Sequence, residues 1–136
     1  MEKSWSSLYK EAKSKINVQS IPPFIESGNI SCAILSGNNN IYTGVNISTN
    51  TSLSSSAERN AISLLLNNGE KTIKKIVILN ELEELIKPSE DCLEYLYELC
   101  EDIDETEVLI DYEQKESLTI RELIPNWWGT YRNKKN

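Results

Sequence analysis

Residues 41–62 read IYTGVNISTNTSLSSSAERNAI, and their composition predicts three consecutive structural elements. Its first seven residues are rich in apolar and β-branched side chains, which is typical of a strand. Ser, Thr and Asn then dominate residues 46–56, a composition that indicates a loop. Apolar residues recur at helical spacing over residues 56–67, and Gly69 is a stop signal just beyond them. A strand, a polar loop and a helix therefore follow one another.

The regions on either side complete an α/β pattern. Further helices are predicted for residues 5–16 and from residue 88, and further strands for residues 30–35, 73–79, 108–112 and 117–120. Turn residues between the first two strands predict a hairpin. The run at 73–79 is apolar except for Lys74 and Lys75 and predicts a central strand, and its helical connection from the preceding strand favours a parallel pairing. We expect one domain over residues 1–136, with a mixed five-stranded sheet between helices.

Composition excludes several classes of partner. The formal net charge of −7 disfavours binding to nucleic acid polymers and to anionic membrane surfaces. No stretch approaches the ~18 apolar residues of a membrane span, so a cytoplasmic protein is expected. Three cysteines are an odd number and predict reduced thiols rather than a disulfide framework. The absence of histidine removes the commonest zinc ligand and the commonest general base.

Four motifs occur in order along the chain. Residues 41–62 carry Gly-Val-Asn-Ile and then Ser-Ala-Glu-Arg-Asn-Ala, residues 88–92 read PSEDC, and residues 119–129 read TIRELIPNWWG. This series resembles the small cytidine deaminases. Their corresponding motifs are Gly-x-Asn-Ile/Val-Glu-Asn followed by Cys-Ala-Glu-Arg-x-Ala, then Pro-Cys-x-x-Cys, then Glu-Leu-Leu-Pro-x-x-Phe-Gly. The resemblance spans roughly residues 30–129 and implies a three-layer cytidine deaminase-like fold.

The resemblance also implies a set of site residues. In such deaminases three Cys or His side chains hold zinc, which activates a water, while a Glu that is not a ligand shuttles protons. Glu58 matches the proton shuttle and Cys92 matches the last zinc ligand. The other two ligand positions are Ser56 and Ser89. A serine hydroxyl stays protonated and is a weak zinc donor, so we expect zinc to be absent and no other cofactor to be present.

The ligand-binding positions have changed as well. Asn46 matches a ribose contact, whereas Ser48 stands where the family has an acidic residue that binds the ribose. Trp128 stands where a Phe closes the pocket. Cys32 is expected in the core. Cys100 lies eight residues beyond Cys92, roughly 12 Å along a helix, and so cannot share a metal ion with it.

Alternative readings exist for several of these residues. Glu58 fits a capping box with Ser55 as well as a catalytic role. Ser89 fits the N-cap of the helix that contains Glu90 and Asp91, whose charges favour a helix N-terminus. Either acidic residue is also a candidate oxygen ligand in place of a lost thiolate.

Three functional hypotheses follow. The first is a degenerate cytidine deaminase-like protein that lacks zinc-dependent deamination and binds a nucleoside-like small molecule. The second is an active nucleoside deaminase, a hydrolase, with an altered metal site around Glu58 and Cys92. The third is a structural oligomeric partner protein, since the resemblance implies a homo-oligomer, a dimer or a tetramer.

Overall fold

The computed structural model describes residues 2–101 and 104–126, which form helices on both sides of one sheet. In chain order the elements are α1 Trp5–Lys15, β1 Gln19–Ile21, β2 Ile25–Ser36, β3 Ile41–Ser48, α2 Ala57–Asn67, β4 Ile73–Leu79, α3 Glu90–Leu99, β5 Glu107–Asp111, β6 Glu116–Thr119 and α4 Ile120–Leu123. None of the helices in these two stretches is long and apolar enough to cross a membrane.

The central strands bury side chains on both of their faces. One face packs against α1, and its fully buried residues include Leu8, Ala12, Leu35, Val77, Leu79 and Leu109. The opposite face packs against α2, α3 and α4, with buried residues that include Ile34, Ala61, Leu65, Ile76, Leu96, Val108 and Ile120. Neighbouring residues of a strand point to opposite faces, which explains why residues 76–79 of β4 are all apolar and all buried. The predicted three-layer α/β architecture is confirmed.

The sheet has six strands in the described part of the chain, where the sequence predicted five. The additional strand is β1, a short exposed segment that pairs antiparallel with the start of β2. Accordingly β2 begins at Ile25 rather than at residue 30. Polar residues 26–29 gave no strand signal, because this end of β2 is formed by pairing with β1 and β3 and not by burial.

The predicted parallel pairing of β4 with the preceding strand is wrong. Both β3 and β4 pair antiparallel with β2, which lies between them, and the parallel neighbour of β4 is β5. β2 lies between β3 and β4 in the sheet. The connection from β3 through α2 therefore passes over β2 before the chain re-enters the sheet as β4. The last predicted strand also ends one residue early, because Thr119 and Glu122 form a capping box that starts α4.

Helix α2 lies against β3 at Gly44. A Cβ atom at this position would come within 2.3 Å of the backbone nitrogen of Ala61 and 2.6 Å of the carbonyl oxygen of Ala57. Real Cβ atoms do not approach backbone atoms this closely, so only glycine permits the contact. The glycine of the strand motif therefore sets the distance between the sheet and the helix that carries Glu58.

A buried carboxylate connects the other end of α2 to the hairpin. Glu70 accepts hydrogen bonds from the Asn40 amide at 2.9 Å and from the Tyr42 hydroxyl. Hydrogen bonds from Ser36, Tyr42 and Asn40 lower the pKa of Glu70 to about 2. Its ordinary value is 4.5, so folding stabilises the charged form.

A Glu70→Gln variant is expected to melt at a lower temperature than the parent at pH 7. Since the pKa of Glu70 is lower in the folded state, its contribution to stability is fully present above pH 4.5 and is lost as the pH falls toward about 2. Thermal melts from pH 7 to pH 2 should show the difference between parent and variant shrinking across that window. The exposed Glu81→Gln serves as a control. A difference that stays constant down to pH 2 would contradict this assignment.

Candidate functional site

The first site helix, α2, begins one residue later than a Ser55 capping box requires. Ser55 and Ile47 exchange backbone hydrogen bonds of 2.8 and 2.9 Å, so the chain is still extended at Ser55. Ser56 is the N-cap, and its hydroxyl accepts from the backbone nitrogen of Arg59 at 3.2 Å. The capping-box reading of Glu58 with Ser55 is therefore wrong. The hydroxyl of Ser55 instead donates to the Asn60 side chain at 2.6 Å.

The second site helix, α3, begins as the sequence predicted. Ser89 is its N-cap and accepts from the backbone nitrogen of Cys92 at 3.3 Å. Glu90 and Asp91 occupy the first turn, where negative charge complements the helix dipole. Cys92 lies on the buried side of the helix and is 3% exposed.

These two helix N-termini meet at one cluster. The Ser56 Oγ lies 3.4 Å from the Cys92 Sγ, although 36 residues separate them in the chain. Glu58, in the first turn of α2, is 8% exposed. Burial raises the pKa of the Cys92 thiol, and the neighbouring Glu58 carboxylate acts in the same direction. Hydroxyl contacts from Ser56 and Ser89 partly offset this rise in pKa. The fold thus brings together all four residues that the motifs predicted.

The donor atoms of this cluster do not fit a zinc ion. Ser56 and Ser89 offer neutral hydroxyl oxygens, each already accepting a backbone hydrogen bond as an N-cap. Protein zinc sites are built from thiolate, imidazole and carboxylate ligands, and of the three positions that match zinc ligands only Cys92 is of that kind. Within residues 2–101 and 104–126, no three His, Cys, Asp or Glu side chains are grouped closely enough to hold a metal ion. Glu90 and Asp91 therefore do not complete a ligand set with Cys92.

The other two cysteines belong to the core, as predicted. Cys32 is fully buried between β3 and β4, and burial raises the pKa of its thiol well above the ordinary value. Cys100 is 8% exposed at the end of α3, and burial raises the pKa of its thiol too. All three cysteines are free thiols in the described structure.

Asn46 and Ser48 lie on the face of β3 that carries Gly44, which is the face covered by α2. The Asn46 Oδ1 accepts from the backbone nitrogens of Asn29 and Ile30 at 2.8 and 2.9 Å. These two donors fall in the irregular part of β2, where its register against β3 shifts. The Asn46 Nδ2 donates to the Ser48 hydroxyl at 3.1 Å. Asn46 thus stabilises the strand irregularity, a role that the motif did not reveal.

Asn60 was not singled out from the sequence. Its Nδ2 donates to the carbonyl oxygen of Val45 at 2.6 Å, which ties the start of α2 to the end of β3. The one signal for this contact in the sequence is a polar residue at a position of α2 that faces the sheet. Trp128, the predicted pocket-closing residue, lies outside the described residues.

No protein-family model and no curated protein sequence matches the chain significantly. Solved structures do match. The cytidine deaminase from Mycobacterium leprae is 21% identical with a TM-score of 0.74, over 92% of this chain and 100% of that one. The cytidine deaminase from Mycobacterium tuberculosis is 18% identical with a TM-score of 0.76, over 94% and 99% of the two chains. The chain has the cytidine deaminase fold.

A third solved structure is similar to this chain to the same degree. The cytidine deaminase from Bacillus anthracis is 22% identical with a TM-score of 0.71, and the alignment covers 96% of this chain and 93% of that one. Each of these alignments covers more than 90% of both chains, so the cytidine deaminase fold accounts for nearly all of this chain. Identity at this level establishes the architecture, whereas activity depends on the residues of the site.

Proposed function

We propose that this protein is a degenerate cytidine deaminase-like protein that does not carry out zinc-dependent deamination and that binds a nucleoside-like small molecule. The observation that carries the proposal is the pair of hydroxyl groups, Ser56 and Ser89, beside Cys92 at the two helix N-termini. Deamination in this fold needs a strongly activated water, and a bound metal supplies that activation by lowering the pKa of the water. Glu58 by itself has no such nucleophile to deprotonate.

Ligand binding is supported by the polar residues that remain. Glu58 offers a carboxylate that accepts hydrogen bonds, and the Ser89 hydroxyl offers a proton, so the cluster suits the amide-like edge of a base. Asn46 and Ser48, on the same side of the sheet, are our proposed contacts for sugar hydroxyls. We also propose that Trp128 closes this pocket. The three free thiols support a cytoplasmic location.

Two observations favour other functions. Glu58 is buried beside Cys92 and is not part of a capping box, so an active hydrolase with an altered metal site is the second candidate. Large apolar side chains are exposed at Phe24 (65%) and Leu53 (80%), and such residues suit subunit contacts. A structural partner protein that works as a homodimer or homotetramer is the third candidate. Light scattering of the purified chain separates these assemblies from a monomer.

Protein purified without added metal is expected to carry far less than one zinc ion per chain and to leave cytidine and deoxycytidine unchanged. Elemental analysis and an absorbance assay for uridine formation measure the two quantities on one preparation. Zinc that resists mild chelation, together with sustained turnover that Glu58→Ala abolishes, would favour the altered-metal hydrolase. Equilibrium dialysis with cytidine and uridine tests nucleoside binding separately from turnover.

A further inference from the structure

We propose that Ser56 and Cys92 form a metal-free hydrogen-bonded tie that joins the N-cap of α2 to the first turn of α3. The tie occupies the position where the resemblance places zinc. Its central contact is the 3.4 Å separation of the Ser56 Oγ and the Cys92 Sγ, which lies within hydrogen-bonding range for sulfur. This inference concerns how the helices are held and does not depend on ligand binding.

The direction of the hydrogen bonds follows from what each atom already accepts. The Ser56 Oγ accepts from the backbone nitrogen of Arg59, which leaves its own proton free to be donated to the Cys92 Sγ. Burial raises the pKa of the Cys92 thiol, and the neighbouring Glu58 carboxylate acts in the same direction, so both favour the protonated thiol. Each group has a partner in this arrangement.

Because Cys92 is buried, we expect the tie to contribute to the stability of the fold. Cys92 is 3% exposed, so water is a poor substitute for the Ser56 hydroxyl that a mutation removes. A buried polar group left without a partner costs more than the hydrogen bond itself contributes. We therefore expect the contributions of Ser56 and Cys92 to stability to be coupled.

A double-mutant cycle tests the tie, with unfolding by urea measured in the presence of a chelator. The variants are Ser56→Ala, Cys92→Ala and their combination. Ser4→Ala is the matched control, because Ser4 caps α1 through one backbone nitrogen, that of Ser7, at 3.2 Å, as Ser56 caps α2. Each cap loss is expected to raise the unfolding equilibrium constant about fivefold. Only the Ser56 cycle should also show coupling, of about two- to fivefold.

A further variant keeps the proposal testable if Cys92→Ala folds poorly. Cys92→Ser retains a donor and an acceptor, so it should retain coupling to Ser56. Additive effects in both Ser56 cycles would overturn the tie and leave Cys92 as ordinary core volume. A parent protein whose stability falls on chelation would overturn it as well, because a metal would then join the helices. Neither result depends on whether a nucleoside binds.

Discussion

Restoring two thiols through Ser56→Cys and Ser89→Cys together is expected to give a chain that binds about one zinc ion. Three thiolates at two helix N-termini would match the ligand set that the family uses, and a fourth position would stay open for water. Two zinc-bound sulfur atoms lie about 3.8 Å apart in a tetrahedral site. The Ser56 Oγ and Cys92 Sγ are already 3.4 Å apart, so the change asks little of the backbone.

Zinc binding by the double variant should raise its free energy of unfolding as well as its metal content. A site that binds zinc in the folded state alone stabilises the protein by about 2.7 kcal/mol when free zinc is at 100 times the dissociation constant. Elemental analysis and thermal melts with and without zinc measure both effects. We expect deamination to stay absent, because Ser48 replaces the acidic ribose contact of the family.

The single variants Ser56→Cys and Ser89→Cys are the controls, since each provides two strong ligands. They should bind zinc more weakly than the double variant. Adding Cys92→Ala to the double variant should weaken zinc binding in the same way. If the double variant folds normally but neither retains zinc nor gains stability from it, positions 56 and 89 do not correspond to zinc-ligand positions.

Gly44→Ala is expected to destabilise the fold by about 3 kcal/mol, at the upper end of the range for overpacking. The added methyl group would lie 2.3 Å from the backbone nitrogen of Ala61, and a backbone atom cannot move aside without displacing α2. Because Glu58 and Ser56 are at the start of the same helix, the site should be disturbed with it. Urea unfolding of parent and variant measures the change in free energy.

Gly69→Ala separates this steric effect from the general cost of replacing a glycine. Gly69 has a φ of +78°, but nothing lies within 4 Å of a Cβ atom at that position. Its replacement should therefore cost only the strain of a left-handed backbone, about 1 kcal/mol. Equal losses for the two variants would show that α2 can shift away from β3 without penalty.

The sequence predicted those elements correctly whose pattern lies within the element itself. Apolar spacing located α1, α2 and α3 to within a few residues, because the buried stripe of a helix repeats every 3.6 residues whatever the helix packs against. Ser89 as the N-cap of α3 also follows from local chemistry and is confirmed. The motifs predicted the cytidine deaminase fold, and the structural matches confirm it.

Predictions failed where a distant segment supplies the partner. β1 is short and exposed, and nothing in its own three residues distinguishes it from a loop. The sequence allowed Ser55 as the N-cap of α2. Its β-bridge to Ile47 keeps the chain extended through Ser55, so the N-cap is Ser56. The motif also did not reveal that two backbone nitrogens of β2 donate to the carbonyl oxygen of Asn46, whose contact with a ligand stays a prediction. Each of these outcomes depends on hydrogen bonds that form between segments far apart in sequence.

Residue type and order in the chain were enough to predict the three-layer fold and to locate serines at positions 56 and 89, where the resemblance implies zinc ligands. The tertiary structure alone decided that the Ser56 hydroxyl lies 3.4 Å from the Cys92 sulfur and that Glu58 is buried beside them. It also decided the close contact of α2 with Gly44. Distances between groups 36 residues apart depend on how helices pack on the sheet, and no local pattern in the chain encodes them.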